Sequence, residues 1–233
     1  MAGLFAIEDV STVFIDCDDC LYQNNWKTAR KITASIAAYT EKLGVGRERA
    51  YSLYKKWGTC LKGLLEEGII DQAGVEDFLI KVHEIDYSDI GRDARLRGVL
   101  RNVLSLKPTW VFTASAREHA QRCLDAVGIA DLPWRGIIDT RDCDLETKHA
   151  ASSFDAAMRI AGATDPETCL FADDSKKNVV AAKQKGWKTV LVGFYDRDTG
   201  DRIHCPEADA HISSLHDLGP LLGIPPLPDR HGG

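Results

Sequence analysis

The feature that most constrains this chain is a set of short apolar runs with an uneven gap between the first and the rest. Thr12–Ile15 (TVFI), Trp110–Thr113 (WVFT), Gly136–Asp139 (GIID), Cys169–Ala172 (CLFA) and Thr189–Val192 (TVLV) are rich in β-branched and aromatic residues, and each reads as a buried strand. Helical stretches near 116–127, 148–162 and 175–185 separate the later runs. Short apolar strands alternating with helices predict crossover connections and a parallel sheet covered on both faces. The gap after the first strand has a different character. Ile32, Ile36, Tyr39 and Leu43 recur at helical spacing, followed by stripes at Ala50, Leu53, Tyr54 and Trp57, at Val75, Phe78, Leu79 and Val82, and at Leu96, Val99, Leu100 and Val103.

The expected architecture is therefore an α/β fold, a Rossmann-like parallel sheet core with a helical cap domain inserted after the first strand. The core is expected to comprise 1–22 and 105–223, the cap 23–104, and the Pro/Gly-rich end IPPLPDRHGG, 224–233, a loose tail.

Composition removes several functional classes. A net charge of −6 with no block of Lys or Arg argues against a nucleic acid polymer as partner. No apolar run approaches the roughly 18 residues of a membrane span. The opening MAGLFAIEDV has no basic segment leading into an apolar stretch, and seven cysteines at irregular spacing make no disulfide framework. Together these predict reduced thiols and a cytoplasmic location.

In an open parallel sheet, ligands bind beyond the carboxyl ends of the strands. Here the first strand ends in Asp16-Cys17-Asp18-Asp19-Cys20, the second in Thr113-Ala114-Ser115, and the fourth in Asp173-Asp174-Ser175, with Lys148 opening the helix after GIID. Taken singly, each has an ordinary structural use: an Asp caps a helix, a Lys is solvated. Their coincidence at one sheet edge is what carries weight. Carboxylates gathered there repel unless a cation sits among them, and hard oxygen ligands beside a phosphate favour magnesium. Lys148 and Thr113 then supply donors to a phosphoryl group.

DCDDC, VFT, Lys148 and FADDS resemble, in order, the four motifs of the haloacid dehalogenase-like hydrolases, over nearly the whole chain. Asp16–Tyr22 (DCDDCLY), Tyr54–Leu64 (YKKWGTCLKGL), Lys148–Phe154 (KHAASSF) and Phe171–Thr189 resemble in particular the pyrimidine 5′-nucleotidase-like phosphatases. The resemblance implies Asp16 as nucleophile, forming an aspartyl-phosphate, and Asp18 as acid and then base. Asp16, the Asp18 main-chain carbonyl and Asp173 would hold Mg2+. Thr113, Ala114 and Lys148 would bind the phosphate, with Asp174, Ser175 and Asn178 in support. Two departures stand out: Cys20 at the fourth position after the nucleophile, and Ala114 where this branch has Asn.

The substrate so implied is a small phosphate monoester, most readily a pyrimidine nucleoside 5′-monophosphate. Sugar, vitamin or lysophospholipid phosphates, a phosphomutase reaction and a silent binding module are the alternatives. Asn24, Lys27, Tyr54, Trp57, Gly58 and Lys62 are the candidate substrate readers, with Trp57-Gly58 preferred for stacking and close backbone approach. The pair Cys17 and Cys20 lacks the second CxxC or His pair of a zinc site and reads as packing. His83, His119 and His149 read as surface or capping residues, with His149 of interest for its position beside Lys148.

Overall fold

The computed structural model describes residues 4–225, so most of the expected tail lies outside the described residues. Six parallel strands, β1 (Thr12–Ile15), β2 (Thr109–Phe112), β3 (Gly136–Ile138), β4 (Cys169–Asp173), β5 (Lys188–Val192) and β6 (Ala210–Ile212), form one sheet in the order β3-β2-β1-β4-β5-β6. The protein thus has the α/β Rossmann-like fold. β6 has no counterpart among the expected strands: Ala210-His211-Ile212 carries a single β-branched residue, whereas the equally short β3 carries Ile137 and Ile138.

Alternation along the strands builds two cores. Val13 and Ile15 face one side with Val111, Leu170, Ala172, Val190 and Val192, while Phe14 faces the other with Phe112, Phe171 and Trp187. On the second side Phe14 lies 4.6 Å from Trp187 and Phe112 lies 5.8 Å edge-on from Phe154, ring to ring. Truncating one such ring removes about 3–5 kcal/mol.

Five helices follow β1: α1 (Lys27–Lys42), α2 (Arg47–Trp57), α3 (Cys60–Glu66), α4 (Gln72–Val82) and α5 (Ala94–Leu106). Their packing divides the expected 23–104 block. Ala50, Leu53, Leu61, Leu64, Val75, Phe78, Leu79 and Val82 form a separate helical cluster, whereas Leu96, Leu100, Val103 and Leu104 of α5 join the sheet core. α5 carries an apolar stripe like the others, but that stripe covers the Val13 and Val111 face of the sheet. A stripe shows that a helix buries one side; it does not show against what.

The remaining helices are α6 (Arg117–Val127), α7 (Ala151–Ala161), α8 (Lys176–Gln184) and the short α9 (Leu218–Leu221). α6 packs on the α5 side of the sheet, and Phe154 of α7 and Ala182 of α8 pack on the aromatic side. Lys148 precedes α7 by three residues, in the turn that leads into it, instead of opening the helix.

Candidate active site

Register brings the acidic clusters together. Ile15 is level with Val111 on one neighbour and Ala172 on the other, so one residue further on Asp16 lies between Phe112 and Asp173. The edge where β1 meets β4 is also where the strand order reverses, the crevice in which open α/β sheets bind ligands. The Asp16 amide is bonded to the Ala172 carbonyl at 2.9 Å, and the chain then turns, with the Leu21 amide donating to the Cys17 carbonyl at 3.0 Å and Asp19 in the left-handed region (φ 55°).

The Lys148 ammonium sits almost fully buried, bonded to the Asp16 carboxylate, to Asp173 at 2.7 Å and to the Phe112 carbonyl at 3.1 Å. Burial alone would lower Lys148; the charges of Asp16 and Asp173 outweigh it and hold the amine well above its ordinary value. Asp16 is pushed up to about 8, by burial first and by the charges of Asp173 and Asp18, with Lys148 opposing. Asp173 is further tied by the Asn178 amide at 3.0 and 3.1 Å and by the Ser175 main-chain amide at 2.8 Å.

Asp16, Asp173 and Asp174 each bring a carboxylate oxygen within 4.8 Å of the others. Burial, then Asp173, Asp16 and Asp19, raise the Asp174 carboxyl well above its ordinary range. Lys148 pairs with Asp16 and Asp173 and Arg197 offsets Asp174 only in part, so keeping all three carboxylates ionised calls for a further cation. That donor set, all oxygen and all anionic, fits a magnesium ion.

Asp18 points elsewhere. It accepts from the Tyr22 hydroxyl at 2.6 Å and the Ser115 hydroxyl at 2.9 Å, and pairs with His119 Nε2 at 2.7 Å. Burial raises this carboxyl, yet the His119 charge and the three hydrogen bonds outweigh burial and hold it well below the usual range. His119, expected at the surface, is instead fully buried, with its Nδ1 2.9 Å from the Tyr87 hydroxyl; His83 is buried beside it, the two rings 4.6 Å apart. The overlooked signal was phase: His119 and Cys123 share a face of α6 with Ala120 and Leu124, and all four are buried. Cys17 and Cys20 are buried as well. Thr113 is buried, and its hydroxyl accepts from the Ser115 amide at 3.0 Å.

A cavity of about 680 Å³ opens between the cap helices and this edge, reached by Asp18, Ala114 and Ser115 from below and by Ile32, Ile36, Tyr51, Tyr54 and Phe78 from above. Arg197, unnoticed in the sequence, also lines it and lies 3.7 Å from Asp19, whose own carboxyl burial and Asp18 raise to about 7. Of the candidate readers only Tyr54 faces this space. Asn24 caps the start of α1, donating to Thr28 and accepting from the Lys27 amide, while the Lys27 ammonium pairs with Asp89. Lys62 pairs with Glu146, and the Trp57 indole donates to Glu67 at 3.4 Å. Gly58 ends α2 at φ +85°, where a Cβ would come within 2.7 Å of Thr147. The close approach that this glycine permits is by the loop carrying Lys148.

The sequence profile of the haloacid dehalogenase-like hydrolases matches residues 10–186, and the chain belongs to that family. It is 28% identical over 193 residues to Phosphate metabolism protein 8 of Saccharomyces cerevisiae, covering 76% of this chain and 60% of the yeast protein. The chain thus spans less than two thirds of the length of that relative. Among solved structures it is similar to CbbY from Rhodobacter sphaeroides in complex with phosphate, with a TM-score of 0.64 at 18% identity over 90% of this chain and 96% of that one. It is similar too to a dehalogenase with an intermediate complex, with a TM-score of 0.60 at 16% identity over 93% and 99%. Likeness at such identities concerns the fold.

Proposed function

We propose that this hydrolase is a magnesium-dependent phosphomonoesterase that cleaves a small phosphorylated metabolite, a pyrimidine nucleoside 5′-monophosphate foremost, through an aspartyl-phosphate. The observation that carries the reading is the convergence of the Asp16, Asp173 and Asp174 carboxylates, with the Lys148 ammonium paired to the first two. A displacement of halide by carboxylate needs no such surplus of negative charge.

Asp16, Asp173 and the Asp18 main-chain carbonyl are the proposed metal ligands. Asp174 joins them, because Asp173 already has Lys148 and Asn178 as partners. When bound, the ion offsets repulsion between the anionic nucleophile and the anionic phosphate. A carboxylate oxygen of Asp16 attacks phosphorus, the P–O ester bond breaks, and the leaving alkoxide takes a proton from Asp18. Asp18 is held as carboxylate, the form needed to activate the water that clears the intermediate; for the first step it draws from the His119 imidazolium, 2.7 Å away, the proton it passes to the alkoxide, and the proton it later takes from the water restores His119. Lys148, Thr113 and the Ala114 amide bind the non-bridging oxygens. Tyr51 and Tyr54 lie across the cavity from Asp18 and suit a flat, partly apolar leaving group. All seven cysteines are free, in keeping with the proposed cytoplasmic setting.

The test is phosphate release from a panel of nucleotides, sugar phosphates, vitamin phosphates and lysophospholipids, each with magnesium and with EDTA. Magnesium-dependent turnover concentrated on UMP and CMP is expected. Equal turnover across the panel removes the nucleotidase reading, and turnover indifferent to EDTA removes the metal.

A further inference from the structure

Beside the carboxylate cluster lies a second set of ligands of opposite chemical character. Cys17, Asp18, His119 and Cys123 each offer one ligand atom, and all four atoms lie within 4.8 Å of one another. We propose that these residues form a soft-metal site that takes one Zn2+, and that its occupancy arrests the enzyme by withdrawing the Asp18 carboxylate from the substrate. The arrest rests on the function proposed above; the binding does not.

Two thiols, an imidazole and a carboxylate are a donor set that favours zinc over magnesium. Zinc bonds of about 2.0–2.3 Å put tetrahedral ligands roughly 3.3–3.8 Å apart, so the 2.7 Å contact of Asp18 with His119 opens slightly while the wider separations, all within 4.8 Å, close. Two ligands come from the turn after β1, and two from successive turns of α6, His119 and Cys123, four residues apart on one helix face. The ring is already aimed: the Tyr87 hydroxyl holds Nδ1 at 2.9 Å, which leaves Nε2 facing Asp18 at 2.7 Å and the Cys123 sulfur at 3.5 Å. Such a partner on the far ring nitrogen is what orients metal-binding histidines. The Ser115 hydroxyl steadies the other oxygen of Asp18. Asp18 and His83 border the large cavity, which gives an ion a route to an otherwise buried group. Binding to the two thiols and the protonated His119–Asp18 pair releases three protons and leaves a site of net charge −1.

Cobalt(II) is the probe and zinc its competitor, in a phosphine reductant with excess magnesium present. The wild-type protein is expected to bind one cobalt per chain with thiolate-to-metal charge-transfer absorption and tetrahedral visible bands, both lost on adding one equivalent of zinc. Cys123→Ala should lose the charge-transfer band and bind at least about 100-fold more weakly. It should keep magnesium-dependent phosphate release while escaping inhibition by micromolar zinc. Cys17→Ala should behave the same way and serves if the first variant fails to fold. Asp16→Asn, chemically inert, should keep the cobalt spectrum, so the metal site is judged even if no phosphate is ever released. A wild-type protein without the thiolate band, or a Cys123→Ala spectrum and affinity matching wild type, overturns the site. Zinc binding that leaves turnover unchanged overturns the arrest.

Discussion

The sheet edge and the cap differ in how faithfully sequence position becomes spatial position. At the edge, Asp16 and Thr113 follow strands, and Asp173 ends one, whose register is fixed by main-chain hydrogen bonds, so residues at strand ends arrive side by side. In the cap, Asn24, Lys27, Trp57 and Lys62 have the right chemistry for reading a substrate, yet each is engaged within the protein: a helix cap, a pair with Asp89, a bond to Glu67, a pair with Glu146. Which way a helix rotates its polar groups depends on what the helix packs against, and the sequence does not say.

The comparison breaks most sharply at the nucleophile. Asp16→Asn should lose turnover by on the order of 10⁴–10⁶-fold with the fold retained, read by single-turnover phosphate release and circular dichroism. Wild-type-like activity would remove the edge from the chemistry. Next comes Lys148→Ala, which leaves the buried Asp16 and Asp173 carboxylates without their ammonium. A cost of about 3–5 kcal/mol is expected in EDTA, partly recovered by magnesium, in denaturant melts. An equal cost with and without magnesium would refute a metal beside that lysine.

The cap half is sharpened by two variants measured together. Tyr54→Ala should raise KM several-fold with kcat little changed, because Tyr54 faces the cavity. Trp57→Ala should instead lower the melting temperature at nearly constant KM, since its indole packs within the cap and bonds Glu67. The reverse pattern restores Trp57 as the reader.

A smaller effect follows from pH. Asp16, lifted to about 8, and Asp19, to about 7, both lie above their ordinary value of 3.8. Stability tied to their neutral forms is complete below about pH 4 and is lost as pH rises through 7 and 8. Metal-free protein should therefore melt lower at pH 8 than at pH 5. Asp19→Asn should flatten the fall and add about 1 kcal/mol at pH 8, since the buried Asp19 oxygen that faces Arg197 at 3.7 Å makes no hydrogen bond and Asn tolerates its left-handed backbone. Least of all, Lys27→Ala should change stability by under about 0.5 kcal/mol, because its pair with Asp89 is solvent-exposed.

The two histidine readings mark the limit of legibility. His149 draws attention by its place next to Lys148, yet His119, 29 residues from that lysine in sequence, is the one that touches the reacting carboxylate. Its buried phase on α6 was visible, but its partner was not, because the Asp18 contact joins residues 101 positions apart. The fourth helical stripe shows the same gap. Leu96, Leu100 and Val103 announced a helix, and only packing assigned that helix to the sheet.

By itself the sequence determined the parallel sheet, the helical insertion after β1 and the acidic clusters at the strand ends. Strand composition, local periodicity and main-chain register are short-range properties, and they carry those features. Tertiary structure alone decided that Asp18 is held by His119, Tyr22 and Ser115, that Asp174 gathers with Asp16 and Asp173, and that Tyr54 rather than Trp57 meets the cavity. Those outcomes depend on burial, helix rotation and the meeting of residues far apart in the chain, which exist only once the layers have packed.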